Sequence, residues 1–124
     1  MSWIDRARES LRRLWAEMDP SLYVPPQPEL RRLNDDQAEL CWQGRPFLFD
    51  RRAKTVSRAG KVLARYDAVR SIGISTHRES DTWSVILDVG SLRNIVVGTA
   101  REQADASIAA AHIARVMDKQ VRVF

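Results

Sequence analysis

The side chains best suited to acid–base chemistry lie together in the polar segment HRESD, residues 77–81. It places His77 beside Glu79 and Asp81, and a carboxylate next to an imidazole can orient that ring for proton transfer. The same composition between two strand-like segments is typical of a solvent-facing hairpin tip. We interpret residues 77–81 as such a tip, and we predict no catalytic residue in it.

The remaining nucleophiles and metal ligands are isolated from one another in the sequence. Cys41 has no neighbouring histidine to lower its pKa, and His112 falls at the edge of an apolar helical stripe, where a half-buried structural histidine is expected. The chain contains no Gly-rich phosphate loop, HExxH, GxSxG or paired CxxC motif. We therefore predict a noncatalytic protein without a metal ion or cofactor, and we identify no small-molecule substrate.

Basic residues are concentrated in the middle of the chain, where they suggest an anion-binding surface for a lipid headgroup or nucleic acid. The candidate residues are Arg51, Arg52, Lys54, Arg58, Lys61 and Arg65. Turns at 51–54 and 59–61 should point to opposite ends of a hairpin, so we expect a divided patch. A solvated surface is favoured over a weak anion site.

The charge of the whole chain does not favour nucleic-acid binding. Its 20 basic and 16 acidic residues give a net charge of +4, and the two signs are interspersed. Long-range steering of a polyanion needs segregated charge. Trp42 and Trp83, which could stack on bases, fall on the apolar faces of strand patterns and are expected in the core.

Residues 1–18 show the pattern of an amphipathic helix with Ser2 as a plausible N-cap. Its apolar stripe gives the candidate contact residues Trp3, Ile4, Leu11, Leu14, Trp15 and Met18. Three roles remain open for the stripe. It can pack on its own domain or on a second copy, lie in a membrane surface, or dock on another protein.

Residues 19–28, DPSLYVPPQP, contain four of the five prolines and are predicted to form a linker. Proline favours extended backbone, so the linker should act as a stiff spacer between the helix and the domain at 29–124.

Short runs of alternating hydrophobicity with compact turns fill residues 29–97, and residues 45–75 are predicted to form an antiparallel meander. The clearest alternation is at 82–89, with Trp83, Val85, Leu87 and Val89 predicted inward and Ser84 and Ile86 outward. About seven strands at this spacing predict an antiparallel sandwich or barrel.

An alanine-rich helix is predicted at 101–118, capped by Thr99, with small residues that let it approach the sheet closely. Its buried face should contain Ala106, Ala109, Ala110, Ile113, Val116 and Met117. The last residues, KQVRVF, alternate like a short final strand or an ordered tail.

The order of segments FLFDRRAKTV, GKVLARYDAVRSIGIS, WSVILDVGSLRNIVVGTA and REQADASIAAAHIARVM resembles that of bacterial pleckstrin-homology-like (PH-like) domains, over roughly residues 29–124. The resemblance implies seven strands in two near-orthogonal sheets, with a C-terminal helix over one open end. It also implies a scaffold that binds lipids, peptides or proteins. The phosphoinositide-binding members use a basic pattern in their first two strands, and the acidic residues Asp35, Asp36 and Glu39 depart from it here.

A single cysteine excludes an intrachain disulfide, and no apolar run reaches the roughly 20 residues that cross a bilayer. We predict a cytoplasmic protein, either free or peripheral to the inner face of the membrane. The predicted function is an interaction module that engages a protein partner or a membrane surface. The alternatives are weak anion binding through the basic hairpin, and a homo-oligomer assembled through the N-terminal helix.

Overall fold

The computed structural model describes residues 27–90 and 94–124, which form two β-sheets and one α-helix. The strands are β1 (Glu29–Arg32), β2 (Gln37–Cys41), β3 (Phe47–Asp50), β4 (Thr55–Arg58), β5 (Lys61–Arg65), β6 (Ser71–His77), β7 (Thr82–Asp88), β8 (Ile95–Ala100) and β9 (Val121–Val123). The helix, α1, spans Gln103–Met117, and a short 3-10 turn at Tyr66–Ala68 joins the two sheets.

The first sheet is an antiparallel meander in the order β1-β2-β3-β4-β5. Its turns are fixed by short polar side chains: Asn34 Oδ1 accepts hydrogen bonds from the amides of Asp36 and Gln37, both at 2.9 Å. Asp50 Oδ1 does the same for the amides of Arg52 and Ala53. Asparagine and aspartate commonly stabilise turns in this way, so the sequence sets the ends of these strands locally.

The second sheet has the order β8-β7-β6-β9. β6, β7 and β8 are antiparallel neighbours, whereas β9 returns after the helix and pairs parallel to β6, with Ile72 opposite Val121 and Ile74 opposite Val123. The main-chain hydrogen bonds Ile72 N to Gln120 O (2.9 Å) and Phe124 N to Ile74 O (2.8 Å) hold β9 at both ends. The predicted final strand is therefore confirmed.

One hydrophobic core lies between the inner faces of the sheets and α1. Phe49, Leu40, Ile72 and Leu87 are among its largest fully buried side chains. From the helix, the buried residues are Ala106, Ala109, Ala110, Ile113 and Met117, as the helical spacing predicts. Val116 is partly buried against the same core.

The predicted fold class is correct in its coarse features and wrong in its details. The described chain is mainly β with a C-terminal helix, but it has nine strands rather than seven and its two sheets are not closed into a barrel. β1 and β9 both lie in segments where the sequence pattern predicts strands, so the difference lies in the number of strands counted and in the closure of the sheets. The N-terminal helix (residues 1–18, including Trp3, Ile4, Leu11, Leu14, Trp15 and Met18) and nearly all of the linker at 19–28 lie outside the described residues.

Sequence pattern misplaces one strand residue and one helix cap. Val56 faces Ala64 while Ser57 faces Val62, so Leu63 is an extra bulged residue. The bulge turns Val62 outward, where 57% of it is exposed, although simple alternation places it on the same face as Ala64. Thr99 is not a helix cap because it belongs to β8, and Glu102 occupies the N-cap without a side-chain hydrogen bond.

The outer face of the second sheet is more covered than alternation predicts. Ile86 and Ser84 were expected outward, yet both are buried. The ring of Phe124 is one reason, since it lies over Gly73 and beside Ile86: a Cβ built on Gly73 would be 2.7 Å from both Phe124 Cε2 and Ile86 Cγ1. Glycine at this position therefore lets the end of the chain cover the outer face.

Candidate functional site

The structure divides the predicted basic hairpin between two ends of the β4–β5 pair. Arg58 faces Lys61 at one end, and Thr55 faces Arg65 at the other. Arg58 already has structural contacts: its guanidinium carbon lies 4.9 Å from the centre of the Phe47 ring, and its Nε donates to the carbonyl of Arg45 at 3.1 Å. Arg65 lies 3.8 Å from the Asp67 carboxylate, with both side chains well exposed.

At the Arg65 end, a cleft of about 570 Å³ opens between the β3–β4 turn, the 3-10 turn and the last turn of α1. We call it the basic cleft. Its lining residues are Arg51, Lys54, Tyr66, Asp67, Arg115, Val116, Met117, Asp118 and Lys119. The structure thus brings two of the predicted residues, Arg51 and Lys54, together with two helix-end cations that sequence reasoning missed.

Main-chain hydrogen bonds hold the two turns of the basic cleft together. The Tyr66 amide donates to the Lys54 carbonyl at 2.8 Å, and the Arg51 amide donates to the Asp36 carbonyl at 2.7 Å. Lys54 and Asp118 both adopt left-handed backbone conformations, with φ of 55° and 56°. Non-glycine residues rarely do so, so the cleft contains two positions where the fold imposes an uncommon geometry.

Asp50 anchors the turn that carries Arg51 and Lys54. Its carboxylate accepts hydrogen bonds from the amides of Ala53 and Arg52 and, at 3.1 Å, from Nε2 of Gln37. These donors, the Ala53 amide above all, stabilise the charged form and lower the pKa of Asp50. The turn therefore keeps its anchor well into the acidic range, and loses it only as the pH falls through that lowered value.

Tyr66 forms part of the cleft wall and carries a polar atom that lacks a partner. The residue is 92% buried, and its hydroxyl has no hydrogen-bond partner among the described residues. Burial and, to a smaller extent, the nearby Asp50 carboxylate raise the pKa of Tyr66 to about 12. The hydroxyl thus keeps its proton at neutral pH and is a donor without an acceptor, an arrangement that costs stability.

Replacing Tyr66 with phenylalanine is therefore expected to stabilise the protein. The variant Tyr66→Phe keeps the buried ring and removes the unsatisfied hydroxyl, so the free energy of unfolding should rise by about 1 kcal/mol. Urea denaturation of both proteins at pH 7 measures the difference. A fall in stability would show that the hydroxyl has a stabilising partner.

No protein-family model, curated protein or solved structure matches this chain. The resemblance to PH-like domains stays a prediction.

The candidate catalytic residues do not converge on a cleft in the described part of the chain. His77 Nε2 lies 2.9 Å from Ser84 Oγ, which lies 3.1 Å from Thr99 Oγ1, so these three residues form a polar chain across β6, β7 and β8. Ser84 is only 5% exposed. The hydrogen bonds to His77 and Thr99 therefore satisfy its buried hydroxyl rather than presenting it to a substrate. No hydrogen bond joins His77 to Glu79 or Asp81.

The other candidate groups are also separated. Cys41 is buried, and burial raises the pKa of its thiol, which disfavours the reactive thiolate. His112 is half-buried on α1, as expected for a structural histidine. Among the described residues, no three potential ligands cluster to hold a metal ion, and no helix is long and apolar enough to span a membrane.

A second candidate surface lies along β9, the edge of the second sheet. Val121, Val123 and Phe124 expose 41%, 68% and 60% of their surface. Pairing with Ile72 and Ile74 places both valines on the inner face of the sheet, whereas Phe124 lies on the outer face over Gly73. The edge therefore presents apolar side chains on both faces. We call residues 121–124 the β9 edge.

Proposed function

We propose that this protein is a noncatalytic interaction module whose β9 edge pairs with the same edge of a second copy. The observation that supports the proposal is the combination of a strand edge that no other described strand pairs with and three exposed apolar side chains. The sequence predicts a protein partner or self-association through the N-terminal helix. The present proposal keeps self-association and assigns the contact surface to residues 121–124 instead.

The other three sheet edges are protected against pairing. β1 carries Glu29 and Arg32, and β5 carries Lys61 and Arg65 together with the bulge at Leu63. Charges and bulges are common devices that keep edge strands from pairing with other chains.

A side chain covers one position on the edge of β8. Nε2 of Gln43 donates to the Thr99 carbonyl at 2.6 Å, and the Thr99 amide donates to Oε1 of Gln43 at 3.0 Å. Gln43 thus occupies the main-chain groups of Thr99 that an added strand would use. β9 carries one charged residue, Arg122, and has neither a bulge nor a covering side chain among the described residues, so it is the least protected of the four edges.

The backbone of the β9 edge is suited to strand addition. Gln120 and Phe124 form hydrogen bonds with β6. Hydrogen-bonding direction alternates along a strand, so the amide and carbonyl groups of Val121 and Val123 face away from the sheet. In a two-fold antiparallel pair centred on Val123, a second strand would satisfy the amide and carbonyl of Val123 and shield its side chain and Phe124 from water.

The chemistry of the edge favours a second copy as its partner. A partner that fits this edge must offer an extended strand with exposed apolar side chains, and β9 itself is such a strand. Antiparallel pairing with Val123 opposite the same residue of the second copy sets Arg122 beside a phenylalanine ring instead of beside another arginine. Two-fold pairing also closes on itself, so it yields a dimer with a continuous eight-stranded sheet.

The variant Val123→Lys tests this proposal. Lysine on an open edge disfavours strand addition, so the wild-type protein is expected to sediment as a dimer and this variant as a monomer, with dimer affinity reduced at least about tenfold. Val62→Lys is the matched control, because Val62 is also an exposed valine on an edge strand (57% exposed) but lies on β5.

Sedimentation equilibrium over a range of protein concentrations distinguishes the outcomes. A wild-type protein that stays monomeric at every concentration contradicts the proposal. So does a dimer that Val62→Lys weakens as much as Val123→Lys, or one that neither substitution affects.

A cytoplasmic location is part of the same proposal, since the single cysteine, Cys41, is a free buried thiol. Contact with a membrane through the N-terminal helix stays a prediction from the sequence, because that helix lies outside the described residues.

A further inference from the structure

Four cationic side chains line the basic cleft, together with two carboxylates, Asp67 and Asp118. Arg51 and Lys54 come from the β3–β4 turn, and Arg115 and Lys119 come from the end of α1. None of these four side chains has a carboxylate partner within 4.0 Å among the described residues. Cations held together in one concave surface repel each other, so an anion that binds between them is stabilised.

The acidic residues of the basic cleft do not cancel this charge. Asp67 lies 3.8 Å from Arg65, which is outside the lining. Asp118, the other lining carboxylate, is the left-handed residue that ends α1. The lining thus holds four cations against two carboxylates. Asp50, whose carboxylate lies near Tyr66, already accepts two hydrogen bonds from the turn and one from Gln37.

The remaining lining residues make the cleft a better site than an open surface patch. Tyr66 and Met117 are buried, and Val116 is half-buried, so one wall of the cleft is largely apolar. A charge beside such a wall interacts more strongly than in bulk water, because the local dielectric constant is lower. The volume of about 570 Å³ is within the range of small-ligand sites.

The Tyr66 hydroxyl supplies a neutral donor in the same wall. It has no acceptor among the described residues, and less than 1 Å² of the atom is exposed. A ligand oxygen therefore reaches it only when the side chains above it move, and would then provide the acceptor that the hydroxyl lacks.

We propose that the basic cleft binds the phosphate group of a small molecule, held by Arg51, Lys54, Arg115 and Lys119, with the Tyr66 hydroxyl as an additional donor. A phosphate dianion offers several acceptor oxygens, which match donors that approach from two sides of a cleft. Arginine binds such oxygens in pairs and lysine acts as a point charge. This site shares no residue with the β9 edge, so the two proposals stand independently.

Isothermal titration calorimetry with inorganic pyrophosphate tests the proposal. The triple variant Lys54→Asn, Arg115→Gln, Lys119→Gln removes three of the cations, and asparagine tolerates the left-handed backbone at position 54. At about fivefold for each exposed charge, its affinity should fall roughly 100-fold. The control Arg58→Gln, Lys61→Gln removes two cations at the opposite end of the same hairpin and should bind like the wild type.

The variant Tyr66→Phe tests the role of the hydroxyl. It should weaken pyrophosphate binding about fivefold, a loss typical of a single hydrogen bond, while the unbound protein becomes more stable. A hydroxyl with a structural role alone would leave the affinity unchanged, and that result would overturn its assignment as a donor.

Two further titrations identify the nature and source of the anion. Sodium sulfate and sodium chloride at matched ionic strength should give a weaker calorimetric signal than pyrophosphate. An equal signal would mean that the effect is charge screening alone, and it would overturn the proposal. Vesicles of phosphatidylcholine with and without phosphatidic acid test a lipid source. Binding to pyrophosphate indicates a soluble ligand, and binding to the acidic vesicles alone indicates a lipid phosphate. Binding to neither overturns the site.

Discussion

Substitution of Trp42 by alanine is expected to lower the free energy of unfolding by about 4 kcal/mol, because it removes a large aromatic side chain from the core. Trp42 is 93% buried and follows directly after β2. Its ring lies against Gly98 of β8, so it connects the first sheet to the edge of the second. A single domain is commonly stable by about 5–15 kcal/mol, so this variant would keep a small margin.

The contact between Trp42 and Gly98 can be tested from the other side. A Cβ at position 98 would lie 2.5 Å from Trp42 Cε3 and 2.9 Å from Gln43 Oε1. Since neither the ring nor the hydrogen-bonded amide can move freely, Gly98→Ala should cost about 2 kcal/mol through overpacking.

A double-mutant cycle then separates this contact from general destabilisation. Once the ring is absent, the added methyl group has space, so the double variant Trp42→Ala, Gly98→Ala should be more stable than additivity predicts, by at least about 1 kcal/mol. Urea denaturation measures the free energy of unfolding of all four proteins, and equal m-values show that the differences are differences in stability. Strict additivity would contradict the contact.

The parts of the fold that sequence predicts correctly are those controlled by local signals. The strands at 47–50 and 55–58 lie within the alternating stretch predicted at 45–75, because the alternation of Phe47 and Phe49 and the polar turn between the strands are short-range features. The buried face of α1 follows from helical spacing in the same way.

The features that sequence misses depend on contacts between distant segments. The bulge at Leu63 reflects pairing with β4, and it reverses the side on which Val62 lies. The burial of Ile86 depends in part on Phe124, which is 38 residues away in the chain and packs over Gly73. No periodicity within residues 82–89 contains this information.

The basic cleft shows the same limit for function. The sequence predicts Arg51 and Lys54 as basic turn residues, and the expected division of the hairpin patch agrees with the pairing of Arg58 and Lys61 at the opposite end. From the sequence alone, Arg115 and Lys119 are ordinary cations at a helix C-terminus, where they interact favourably with the helix dipole. Only the packing of α1 beside the β3–β4 turn places them with Arg51 and Lys54.

Substitution of Ala109 by leucine is expected to destabilise the protein by about 3 kcal/mol. Ala106, Ala109 and Ala110 are completely buried, because α1 packs on the core through small side chains. A leucine at position 109 would have to displace the helix from the core or force its neighbours out of their preferred rotamers. Leucine and alanine have similar helix propensities, so propensity contributes little to the change.

The same helix provides a matched control for this prediction. Ala111 is exposed on the opposite side of α1. Ala111→Leu adds the same atoms to the same helix without filling the core, and its stability should stay within about 0.5 kcal/mol of the wild type. Urea denaturation of the two variants therefore measures the cost of overpacking alone. Equal effects at the two positions would mean that α1 is not packed closely on the sheets.

Since α1 carries Arg115 and is followed by Lys119, a displaced helix should also open the basic cleft. Pyrophosphate affinity should therefore fall in Ala109→Leu but not in Ala111→Leu.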